Sequence, residues 1–258
     1  MPAPSSSDAR LAALRAEVRR IESAGRAAAG GCLRFGLEAL DARLSGGGLA
    51  VAALHEAAPA TPAVGDEAAA TLFLAALAAR LAIAEGQGIV LWALSRRDLF
   101  APGLAQAGLT PDRLIYAECR RDEEVLAVME EALRHGGLAA VVGEVGRLGL
   151  APGRRLQLAA EEGGTTALML RRWRRSDADP LAFPSAAVTR WRLAGAPSAP
   201  LPVPGVGRAR WRVELVRQRG GEAHQWILEA PDAEARLALP ARFGDRPDQA
   251  GGAARYAA

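Results

Sequence analysis

Residues 35–56 read FGLEALDARLSGGGLAVAALHE, and the organisation of the chain turns on them. Leu37 to Leu44 has the spacing of a short helix, and Gly46-Gly47-Gly48 ends it. Val51 to His55 then reads as a short strand. Ala57 to Gly65 follows as a Pro/Ala-rich loop, and Asp66 is placed to cap a long Ala/Leu-rich helix. A strand, a loop and a helix in that order is where a phosphate-cradling loop would lie. Such a loop needs glycine N–H groups around the anion and a lysine on the outer phosphates. Here the glycines come before the strand, Gly65 alone follows it, and no lysine is available anywhere. All 32 Lys+Arg residues of the chain are arginine.

Strands and helices continue to alternate. GIVLWA (residues 88–93) is a continuous apolar run, as a strand buried on both faces requires. Leu99 to Ala107 reads as a short helix and Leu114 to Ala117 as a strand. Asp122 to His135 carries Val125, Val128, Met129 and Leu133 on one helical face. Leu138 to Val142 is a strand, Gly153 to Glu162 a helix and Thr165 to Leu170 another strand. That alternation predicts βαβ units and a parallel sheet. Beyond it, Val188 to Leu193 and Trp211 to Val216 alternate apolar residues with arginine, as one-sided strands do, and Gln225 to Glu229 adds a last strand. Trp92, Trp191 and Trp211 lie on the apolar faces and are expected in the core.

At the N-terminus, Leu11, Leu14, Val18 and Ile21 form one stripe of a predicted helix, with Arg10, Arg19 and Arg20 opposite. Residues 1–30 are therefore expected to be a helical arm with a glycine-rich joint, residues 31–230 the core domain, and residues 231–258 a flexible tail. The two cysteines match no metal-ligand spacing and suit a reducing cytoplasm. The three histidines are too scattered for a metal site, and His135, before Gly136-Gly137, favours a helix C-terminus. No secretory leader pattern is present, and the apolar run at residues 68–84, broken by Arg80, reads as a buried helix. The chain's charge is +3, with the base concentrated between Arg171 and Arg219, which admits an anionic partner.

The order and spacing of FGLEALDARLSGGGL, GIVLWA, LFAPGLAQAGL, VMEEALRHGGLAAVVGEV, GRRLQLAAEEGGTTALMLR, AAVTRWRLA and GRARWRVELVRQRGG resemble the RecA core, and within that superfamily the ImuA family. The resemblance spans roughly residues 33–229. It implies an α/β fold of RecA-like, three-layer type, with a mainly parallel central sheet, C-terminal antiparallel strands and the helical arm in front.

The departures from RecA carry the functional reading. Ala57 to Thr71 replaces the glycine-rich loop ending in Gly-Lys-Thr. Ser95, Arg96 and Arg97 replace the catalytic glutamate, and an arginine stays protonated and cannot serve as a base. The metal-holding aspartate position falls on Gly143, with Glu144 next to it. Gly65, Thr71, Arg96, Gly143 and Glu144 thus outline a degenerate nucleotide site. The expectation is a pseudo-ATPase with no cofactor, no ATP binding and no metal.

Arg171, Arg172, Trp173, Arg174 and Arg175 stand where RecA has its loop for single-stranded DNA. Arg217 and Arg219 match two RecA lysines that reach a neighbouring subunit's nucleotide. Both sets are candidates for DNA or partner binding. The resemblance implies an accessory role in damage-induced (SOS) translesion DNA synthesis and mutagenesis. Its implied partners are ImuB, an error-prone DnaE-type polymerase and RecA; no membrane is expected. A SulA-type cell-division inhibitor binding FtsZ and an active RecA-type, DNA-dependent ATPase are the alternatives.

Overall fold

A computed structural model describes residues 31–86, 88–173, 178–198, 205 and 207–240. The expected arm at residues 1–30 lies outside them. The elements are β1 (Cys32–Leu33), α1 (Glu38–Asp41), β2 (Leu49–Ala50), β3 (Leu54–Pro59), α2 (Val64–Ala84), β4 (Val90–Leu94), α3 (Ala101–Gln106), β5 (Leu114–Glu118), α4 (Asp122–His135), β6 (Ala140–Val145), α5 (Leu150–Gly163), β7 (Thr166–Arg171), β8 (Thr189–Ala196), β9 (Arg210–Gln218) and β10 (His224–Glu229).

Eight strands form one sheet in the order β10-β9-β8-β3-β7-β6-β4-β5. From β8 to β5 every pairing is parallel, whereas β9 and β10 continue the sheet antiparallel. Strands β3, β6 and β7 are buried along their whole length; β6 and β7 accordingly read as mostly apolar runs rather than alternations, whereas β3 carries His55 and Glu56. A helix layer lies on each face. α2 packs over β3, β8 and β6 together with Trp92, Trp191 and Trp211. On the other face α4 and α5 pack over β6, β4, β3 and β7 through Val125, Met129, Leu133, Leu156 and Ala160. The architecture is the expected three-layer α/β fold of RecA-like type.

α2 is long and apolar enough to cross a membrane by length and composition. Eleven of its residues are buried, and its Phe73 ring meets Phe35 and Trp191 in the core. Its apolar surface therefore belongs to the sandwich.

Three local expectations shift. The strand expected at Val51–His55 is β3, and it begins at Leu54. Ala52 sits at φ 51°, a left-handed turn that a strand cannot contain. α2 begins at Val64, so Asp66 is inside the helix rather than at its cap. The Asp66 carboxylate accepts from Thr61 Oγ1 at 2.7 Å and from the Gly195 N–H at 2.8 Å. The tail expected from Pro231 is held as far as Pro240. Ala235 and Leu237 are buried against the α2 side of the core, and Glu229 bridges to Ala238.

Candidate functional site

The C-terminal ends of β3, β6 and β4 open on a cleft of about 900 Å³, walled by the first turns of α2 and α3. Ligands of open parallel sheets bind at this end, where loops and helix N-termini converge. Of the residues that the sequence singled out, Thr71, Arg96 and Glu144 line the cleft. Thr71 Oγ1 donates to the Glu67 carbonyl in its own helix, and Arg96 is exposed at the mouth. Gly65 is the second residue of α2, with open space where a side chain would project. Gly143 does not face the cleft. It lies in β6 against α4, where an added Cβ would fall 2.0 Å from Met129 Sδ.

The floor of the cleft is an ion cluster around Arg172. Its guanidinium donates to Glu144 Oε2 from Nε at 2.9 Å, to Glu67 Oε2 from Nη1 at 2.7 Å and to Asp98 Oδ1 from Nη2 at 3.1 Å. Trp92 Nε1 donates to the other Glu144 oxygen at 2.7 Å. Burial pushes the Glu144 carboxyl above its ordinary pKa, against the pull of Arg172. For Arg172 burial works the other way, but Glu144, Asp98 and Glu67 outweigh it and hold its charge more firmly than usual. The Arg172 side chain thus forms the floor of the cleft and is held there from three sides.

A second cluster lies behind it. Glu56, fully buried at the middle of β3, accepts from Arg171 Nη1 at 3.3 Å and Arg190 Nε at 3.0 Å, and from the Ser185 hydroxyl. Arg171 Nε and one Arg190 nitrogen stay buried without a partner. Burial, together with the neighbouring Arg190, pulls the Arg171 pKa below its ordinary value, with Glu56 opposing.

These clusters correct one expectation. Arg171 is 1% exposed and Arg172 8%, so neither can present its charge to DNA. Trp173 is half-buried at the cleft wall, its Nε1 donating to the Pro59 carbonyl at 2.9 Å. Arg174 and Arg175 lie outside the described residues. Arg217 and Arg219 do come together beside the segment after residue 178, donating to the Ser185 and Ala186 carbonyls. Glu56, Glu67, Asp98 and Asp122 carried no signal in the sequence. Glu56 and Asp98 have no acidic neighbour and Glu67 and Asp122 sit in short acidic runs, while their hydrogen-bond partners lie 24 to 134 residues away. Among the described residues no group of His, Cys, Asp and Glu could hold a metal ion.

Fold and cleft together define a RecA-like α/β protein with an arginine–carboxylate cluster on the floor of the cleft at the C-terminal edge of its sheet. No family model matches the chain. It is 41% identical over 206 residues to Protein ImuA from two strains of Caulobacter vibrioides, covering 78% of this chain and 84% of the relative's length. The chain belongs to the ImuA family.

Proposed function

We propose that this chain is a non-hydrolysing accessory protein of damage-induced translesion DNA synthesis and mutagenesis. It acts in the cytoplasm, holding ImuB, an error-prone DnaE-type polymerase and RecA together at damaged DNA. Membership of the ImuA family is the observation that carries the pathway. The cluster on Arg172 supports the absence of turnover. Phosphoryl transfer needs cations on the phosphates and a base or water-positioning group. Here the cleft offers Glu67, Asp98 and Glu144 around a guanidinium they already neutralise. Contact with DNA or partners then falls to Trp173, Arg174 and Arg175, to Arg217 and Arg219, and to the N-terminal arm.

The test is genetic. Deleting the gene should abolish the rise in mutation frequency after ultraviolet damage, and the wild-type gene should restore it. A chain lacking residues 1–24, or carrying Arg174→Ala with Arg175→Ala, should pull down less ImuB or RecA. An undiminished mutation frequency in the deletion strain would remove the pathway assignment. Undiminished binding by both variants would remove the docking model.

A further inference from the structure

The cleft that Arg172 floors remains open above it. Its rim is apolar and bare: Val64, opening α2, is 85% exposed, and Phe100, just before α3, is 69% exposed. Leu72, Leu99 and Leu104 line the wall beneath them. A cavity of about 900 Å³ is within the range of binding sites, and a bare Phe and Val on its lips raise the gain from covering it.

Charge decides what can cover it. Among the described lining residues acids outnumber bases: Glu67, Asp98 and Glu144 stand beside Arg96 and Arg172, with Asp122 accepting from the Gly146 N–H, in a chain whose formal charge is +3. Phosphate is repelled by such a lining. Arg172 is shared among three carboxylates, and the Asp98 side chain is 46% exposed, so it can reach a second cation from solvent. A metal does not fit, because the described acids are not grouped to ligate one. The remaining cation is a side chain, and the apolar lips call for an apolar neighbour to it.

We infer that this cleft is a docking site for a partner protein's peptide segment that places a lysine or arginine next to an apolar side chain. The segment's cation meets Asp98 and Glu67, and its apolar residue lies between Val64 and Phe100. The inference rests on the non-hydrolysing reading above.

The probes are three fluorescein-labelled ten-residue peptides, alternating Leu with Arg, Leu with Glu, and Ser with Arg, titrated onto the full chain at 150 mM salt (about one Debye length of 8 Å). Only the Leu/Arg peptide should bind saturably. Phe100→Ser and Asp98→Arg should each weaken it about tenfold, as loss of an interface anchor does. Both positions are solvent-exposed, and unchanged circular dichroism and melting curves verify that the variants fold. Asp98→Arg should in addition gain binding to the Leu/Glu peptide. Equal binding of the Ser/Arg peptide, indifference to both substitutions, or no binding at all would overturn the inference. So would a tenfold gain on deleting residues 1–24, since the chain's own arm would then be the occupant. ATP displacing the Leu/Arg peptide with release of phosphate would overturn the non-hydrolysing reading as well. Failure of the peptides without any ATP binding would leave that reading standing.

Discussion

His55 is fully buried between Thr189 Oγ1 and the Ala50 carbonyl, each 2.7 Å from a ring nitrogen. Burial lowers its pKa from 6.5 to about 4, against the Ala50 hydrogen bond. The folded protein excludes a proton that the unfolded chain accepts. The stability due to the neutral ring is therefore complete above pH 6.5 and lost as pH falls from there toward 4. The loss amounts to about 3 kcal/mol, and urea midpoints at pH 7.5 and pH 4.5 measure it. His55→Gln should flatten that part of the pH profile. Glu56 sets a second residue-scale outcome. Glu56→Gln strands Arg171 and Arg190 in the interior and should cost about 3–5 kcal/mol, read as a fall in the denaturation midpoint. Arg171 and Arg172 were not recognisable as buried from their sequence neighbourhood: four arginines around a tryptophan read as a DNA- or partner-binding loop, and the acids that hold these two are 28 to 115 residues distant.

At the scale of elements, helix α4 was legible to its ends. Asp122 opens an acidic first turn, Arg134 and His135 close a basic last turn, and the apolar stripe between them is regular. β3 was not, because its interior carries His55 and Glu56, polar residues satisfied by partners on β2, β7, β8 and the loop before β8. Where helices meet, glycine does the positioning. A Cβ on Gly163, at the end of α5, would fall 1.8 Å from the Leu133 carbonyl oxygen of α4. Gly163→Ala must push two backbones apart and should cost about 1–3 kcal/mol. Gly65→Ala is the contrasting substitution. With open space around it inside α2, alanine should stabilise by about 0.4–1 kcal/mol, measured in the same melts. A glycine that still cradled phosphate would not tolerate the change so well.

For the whole molecule the testable statement concerns nucleotide. A ligand present at ten times its Kd stabilises the native state by about 1.4 kcal/mol, enough to move a melting temperature by a few degrees. Millimolar ATP with magnesium should leave the melting curve of this chain unmoved, with or without single-stranded DNA. That expectation comes from the missing lysine. The sequence could not foretell the cluster around Arg172, because a gap in composition does not reveal which side chains the fold brings together.

The guanidinium of Arg172 joins α2, the segment after β4, β6 and the end of β7 at one point. A bound nucleotide that is cut and released gives each binding event of an NTPase a built-in duration. A covalently attached side chain keeps no time. On the accessory reading, then, this protein has no internal signal to let go. How long it stays with a partner depends on affinity, and how often it binds depends on how many copies the cell makes.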